Sequence, residues 1–221
     1  MKIKKKKTGS SKVARLGLML GCAGLTFGAT SLRAQDVNLR GFYMATDAGV
    51  NIVDDVTLTA TGKNGGSVSL GTGVRWDVSM GYDFKLSDQL SLAPELEVGL
   101  MYNPLDTYTS TSGKSSSISG QFIQVPVMAN AILNWQFAPN WVAYGGAGAG
   151  MDYSILNVSS SGSSGIASEA DFAWQGMVGI RYAFGSSEVG LGYKYLSVQP
   201  SGLGLNTVGN NSIMASYTYH F

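Results

Sequence analysis

Ten charged side chains stand inside otherwise oily stretches: Asp47, Arg75, Asp77, Asp83, Glu95, Glu97, Asp152, Arg181, Glu188 and Lys194. Seven acids beside three bases offer ion pairing or a charge-lined path for a small cation, with more carboxylate than can be matched one to one. His220 is the only histidine and so the only candidate base for a Ser/His/acid nucleophile. Two glycine patterns invite a nucleotide reading, and both fail. Gly113-Lys114-Ser115 ends like a P-loop, but the first glycine of that motif would fall on Tyr108, so the Ser/Thr-rich stretch reads as a surface loop. Gly146, Gly148 and Gly150 place the third glycine one residue early for a dinucleotide fingerprint, and no helix pattern follows. Small side chains there are expected to leave room for bulky partners on the opposite wall. No cofactor and no metal site is expected.

The elements that carry these residues alternate with a period of two. From Val74 to Phe84 the even positions are Val, Trp, Val, Met, Tyr and Phe, whereas the odd ones are Arg75, Asp77, Ser79, Gly81 and Asp83. Leu90–Tyr102 opposes Leu92, Leu96, Val98 and Leu100 to Glu95, Glu97 and Gly99. The same split recurs in Phe172–Phe184, Glu188–Tyr195 and Ser212–Phe221, and more weakly in Arg40–Asn51, Gln121–Gln136 and Trp141–Ser154. Successive side chains of a strand point to opposite faces, so each segment has one apolar wall and one polar or small wall. That makes eight strands. Pro94 and Pro126 each remove a ladder donor, so a bulge or irregular pair is expected at both.

Connection lengths supply a second, independent pattern. Short turns at Lys85–Gln89, Ala138–Asn140 and Gly185–Ser187 take turns with long polar segments at Ile52–Gly71, Asn103–Gly120, Ile155–Ala170 and Val198–Asn211. An even-stranded up-and-down barrel with both termini on one side produces this order. Alternation alone does not say which wall faces inward, but the rings do. They crowd the strand ends beside the short turns (Tyr82, Phe84, Trp135, Phe137, Trp141, Tyr182) and again near the long segments (Tyr102, Tyr153, Phe172, Trp174, Tyr195). Rings with a polar tip belong at membrane interfaces. Ten residues from Trp174 to Phe184 rise about 23 Å at roughly 3.3 Å per residue and a 45° tilt, which fits the apolar band of an outer-membrane barrel. The expected fold is therefore all-β: an eight-stranded antiparallel up-and-down transmembrane barrel over residues 35–221.

Residues 1–34 read as a cleaved signal peptide. Lys2, Lys4, Lys5, Lys6, Lys7, Lys12 and Arg15 precede an apolar stretch, Leu16–Gly28, too short to span a bilayer, and a small-residue exit follows. Cleavage falls after Ala34 or after Ser31. Cys22 follows Leu20-Gly21 as a lipoprotein cysteine would, but the apolar run continues past it. Eight of the 15 basic residues and none of the 14 acids lie in this leader, leaving the mature chain at −7. An acidic chain with no basic patch excludes a nucleic-acid partner.

The alternating C-terminal rings Tyr217, Tyr219 and Phe221, behind eight alternating strands, resemble the small outer-membrane β-barrels related to OmpA, OmpX and OmpW. Gly41-Phe42-Tyr43-Met44 and Phe122-Ile123-Gln124-Val125-Pro126-Val127 are similar to strands of the general outer-membrane barrel-domain family. The resemblance implies that the assembly machinery recognises the last strand and that the barrel is monomeric; outer-membrane lipid and lipopolysaccharide are its expected surroundings, and the order of short and long connections puts both mature termini in the periplasm and four long loops outside the cell. No peptidoglycan-binding domain is expected after Phe221. Barrels that trim or transfer lipid acyl chains carry their histidine at the outer rim, whereas His220 is expected at the other end, so no enzyme is expected. Inside the barrel, Arg75 and Lys194 are expected to be held by Glu95, Glu97 and Asp77 in a plug, with Asp47, Asp152, Arg181 and Glu188 in the same polar lumen. Two readings follow: a structural or surface-interaction protein with a plugged lumen, or a narrow channel or lateral-opening transporter for small or hydrophobic molecules.

Overall fold

The computed structural model describes residues 40–60, 63–160 and 163–221. The expected leader, its cleavage point and Cys22 lie outside the described residues. The strands are β1 (Gly41–Val53), β2 (Val56–Ala60), β3 (Lys63–Leu70), β4 (Gly73–Lys85), β5 (Leu90–Thr109), β6 (Ser115–Ser117), β7 (Ser119–Ala138), β8 (Trp141–Ser160), β9 (Ser163–Phe184), β10 (Ser187–Val198) and β11 (Val208–His220).

Eight of them close a ring. β1 pairs with β4 and, across the seam, with β11; β5 joins β4 to β7, and β8, β9 and β10 complete the circle, every pair antiparallel. Closure leaves no unpaired sheet edge, which is the condition for a strand protein to sit in hydrocarbon. Alternation then sorts the side chains. On β4, Arg75, Asp77, Ser79 and Asp83 are buried and Val74, Trp76, Met80 and Phe84 are exposed. On β5, Leu96 is 62 % exposed between the buried Glu95 and Glu97. The oily wall faces outward, and rings gather on it at the turn end in contacting pairs: Phe42–Tyr82, Tyr82–Phe84, Trp135–Phe137, Trp141–Tyr182 and Tyr219–Phe221, with centroids 4.6–5.8 Å apart.

Each proline coincides with a gap in one of its two ladders. β4–β5 pairing skips from Gly81↔Glu95 to Phe84↔Leu92 beside Pro94, and β5–β7 pairing skips from Val98↔Val127 to Met101↔Gln124 beside Pro126. Both prolines keep register with the strand on their other side, Pro94 opposite Ala131 and Pro126 opposite Asp152.

The long polar segments depart from the expectation of loops. Ile155–Ala170 continues β8 and β9 as a paired hairpin, with Ile155 opposite Ser168 and Ser160 opposite Ser163. β5 runs on to Thr109, and β2 and β3 form a hairpin that pairs with that extension. Above a bilayer both faces of a strand meet polar surroundings or other protein, so the Ser/Thr/Gly-rich sequence pairs its backbone without showing the alternation of the membrane part. The segment after β10 stays mostly irregular: a 3-10 turn at Ser201–Leu203, docked by the Leu203 amide on Glu169 (2.9 Å), and a single bridge from Leu205 to Leu58.

Leu96→Arg, at mid-depth on the lipid face, should lower unfolding stability in lipid vesicles by about 2–4 kcal/mol, while Leu96→Phe leaves it within error. Urea titration followed by tryptophan fluorescence reads the difference, and an unchanged Arg variant would turn the barrel wall the other way.

Candidate functional site

The lumen begins with a register problem. Asp77 on β4 lies directly opposite Asp47 on β1, and Glu97 stands opposite Ser79 on the neighbouring β5. Like charges placed opposite each other repel. Lys194, reaching in from β10, resolves this: its Nζ donates to Asp47 (2.6 Å), Asp77 (2.9 Å) and Glu97 (2.7 Å). Arg75 Nε donates to Asp77 (2.8 Å) and its Nη2 to Glu97 (3.0 Å) and to the Gln175 carbonyl oxygen (3.0 Å). Gln175 in turn donates to Glu97 (3.0 Å) and Asn130 (2.8 Å). Six strands thus meet in one network, with Arg75 only 1 % and Lys194 3 % exposed. The oxygens of Asp47, Asp77 and Glu97 converge as a metal site would require, but the cation they share is the protein's own ammonium.

Glu95 reaches neither cation. It accepts from the Tyr43 hydroxyl (3.0 Å), Ser79 (3.0 Å) and Asn130 (3.0 Å), nearer the turn end, while Asp47 fills the third carboxylate position on Lys194. The expected Arg75–Glu95 pair does not form, because Glu95 stands opposite Gly81, six residues along β4 from Arg75 towards the turn. Asp152 accepts from Gln124 (3.1 Å) and Ser154 (2.6 Å), and Asp83 from Asn134 (3.3 Å). The three acids without a cation are therefore each held by neutral donors.

A second ionic group sits towards the turns. Arg181 lies 3.5 Å from Glu188 and stacks over the Tyr144 ring at 4.1 Å, and His220 lies 3.6 Å from Glu188. The Tyr144 ring also needs the room that Gly179 and Gly192 provide: a Cβ at Gly179 would come within 2.6 Å of the ring, and one at Gly192 would overlap the hydroxyl. Gly146, Gly148 and Gly150 make space not for the far wall but for the adjacent strand, since a Cβ at Gly148 would overlap the Asn130 amide and one at Gly150 would meet Met128.

Towards the loop end the lumen closes with amides and then changes chemistry. Asn51 donates to Asn103 (2.8 Å) and Asn210 (2.9 Å) and accepts from Ser212 (2.7 Å), all four buried. One step further along the same inward faces, polar gives way to apolar: Asn51 to Val53 on β1, Asn103 to Leu105 on β5, Gln124 to Phe122 on β7, Ser154 to Leu156 on β8, and Asn210 to Val208 on β11. Above that level lies a cavity of about 200 Å³ between β2, β3, β5, β7, β8 and Leu205.

The amides Gln124, Asn130, Asn134 and Gln175, with Tyr43 and Tyr144, complete the lumen but were not singled out in the sequence. Gln124, Asn130 and Asn134 share one parity on β7, yet Phe122, Met128 and Ile132 share it too and mask the polar signal.

Two solved structures repeat the architecture. Neisserial surface protein A is 19 % identical, with 82 % of this chain and 97 % of that one covered at a TM-score of 0.51. The outer membrane protein OprG from Pseudomonas aeruginosa is 13 % identical, with 84 % and 99 % covered at a TM-score of 0.54. At such identities the likeness speaks for the fold. No curated protein matches the sequence. The outer membrane protein β-barrel domain matches residues 20–221, nearly the whole chain, and with a closed eight-strand ring carrying oily side chains outward and charges inward, the protein belongs to that family of the bacterial outer membrane.

Proposed function

We propose that this protein is a non-conducting, monomeric outer-membrane barrel whose paired loop extensions form an interaction platform at the cell surface, with its turns and both ends of the mature chain in the periplasm. The observation that carries the reading is the Arg75–Lys194 network, in which two cations, three carboxylates and two amides from six strands interlock across the lumen. An eight-stranded barrel leaves an interior that side chains can fill, so a network of this size supports a plug. The absence of a free edge in the ring supports a monomer. Exposed Tyr217, Tyr219 and Phe221 on the outer wall of β11 support recognition of that strand by the assembly machinery and contact with lipid and lipopolysaccharide. A non-enzymatic role is supported by His220, which is held between Tyr43 and Glu188 at the turn end, far along β11 from the cavity.

In planar bilayers the purified barrel should show no stable steps, and Lys194→Ala, which leaves three carboxylates facing one another, should show small cation-selective ones. A steady current through the unaltered protein would reject the plug and favour the channel. Orientation has its own test. On whole cells a membrane-impermeant maleimide should label Ser116→Cys, in the β5–β7 extension, and spare Ser187→Cys, beside a short turn. The reverse pattern would invert the barrel.

A further inference from the structure

The loop-end cavity is a built site rather than a gap between loops. It gathers Leu58 from β2, Leu105 from β5, Phe122 from β7, Leu156 from β8 and Leu205 from the last connection, segments far apart in the chain. The only lining side chain with a polar atom is Tyr108, and its hydroxyl is already committed to the Gly65 carbonyl at 2.7 Å. Water in such a space has none of the two to four polar partners that hold buried water, whereas an apolar cavity of about 150 Å³ stays dry and accepts benzene. At about 200 Å³, this one has room, in proportion, for about eight carbons.

Two further features define the occupant. The cavity has a floor: Leu196, Val198 and Val208 are fully buried beside Phe122, and the Asn51–Asn103–Asn210 amides lie beneath them. It is a dead end, suited to holding a molecule and not to passing one through. It also stands beyond the loop-end rings. On β5 and β8 the outward positions run from Tyr102 to Asp106 and from Tyr153 to Asn157, so the wall around the cavity faces water and a bilayer acyl chain would have to leave hydrocarbon to enter. We infer that the loop end is a binding site for a small, neutral, hydrocarbon-bodied molecule of about eight carbons taken from the aqueous side. This goes beyond the surface-platform reading and does not depend on whether the lumen conducts.

Full-length barrel in lipid nanodiscs, with leucine and valine methyls labelled for NMR, would be titrated with 1-octanol. Saturable one-to-one shifts should appear at Leu58, Leu105, Leu156 and Leu205 and not at the lipid-facing Leu96 and Leu100. Shortening the probe by one methylene should weaken binding about fourfold. Leu156→Trp, which fills the cavity, should weaken it tenfold or more while the Leu96 and Leu100 methyls keep their positions; Ile118, which also lines the cavity, gives the same readout as Ile118→Phe if the tryptophan variant does not fold. Non-saturating shifts, shifts equal at lipid-facing methyls, or binding indifferent to filling would show partition into the bilayer and overturn the proposal. Contacts from nanodisc acyl protons to the cavity methyls without octanol would instead assign the site to a lipid tail and overturn it equally.

Discussion

A sheet with one wall in hydrocarbon cannot leave backbone groups unpaired, and satisfying them by closing eight strands into a ring drives the charged residues at mid-strand into one narrow interior. The charge problem of this protein follows from that closure. Asp47 and Asp77 are forced opposite each other by the β1–β4 register, and Glu97 joins them from β5. Neither water nor distance can relieve them there. A single long, flexible side chain from across the ring does, because an ammonium donates to three acceptors in different directions, whereas the planar Arg75 guanidinium ties Asp77 to Glu97 edge-on. Removing one partner from a buried group of this kind typically costs about 3–5 kcal/mol, since the remaining charges stay buried without compensation.

The acids left over show a different economy. Glu95, Asp83 and Asp152 are met by hydroxyls and amides from within the lumen. Neutral donors meet both oxygens of Glu95 and one oxygen each of Asp83 and Asp152 without adding charge, and the lumen holds seven carboxylates with three cations. Half of these donors, Gln124, Asn130 and Asn134, stand on β7, and the others come from β1, β4 and β8.

How much of this could be read from the chain depends on where hydrocarbon imposes its rule. Along Val74–Phe84 and Leu90–Tyr102 the bilayer enforces strict alternation, and strand, face and ring belt are all legible. Past Tyr102 and Tyr153 nothing outside the protein demands oily residues, and the strands of the extensions vanish into Ser, Thr and Gly although their backbones still pair. Within the lumen, residue type announces that Arg75 and Lys194 need carboxylates. Which carboxylate meets which cation is set by pairing across strands: Glu95, opposite Gly81, lies nearer the turn than Arg75, and Asp47, fixed opposite Asp77, takes the third place on Lys194.

The same geometry accounts for the two chemistries inside one tube. Inward positions keep their phase from Glu95 through Asn103 to Leu105 on β5 and from Asp152 through Ser154 to Leu156 on β8, yet their character inverts. Below the level of the Asn51–Asn103 amides, the outer wall is in lipid and polar groups have only the interior to occupy. Above it, the outer wall is in water and oily groups have only the interior to occupy. On β1, β5, β7, β8 and β11 the change falls within one inward step of the same ring of buried side chains, at the height of the loop-end rings Tyr102 and Tyr153 on the outer wall. A tube that crosses this boundary without changing its register has to change from a charged core to an oily one, and the apolar cavity at the loop end is a direct consequence of that change.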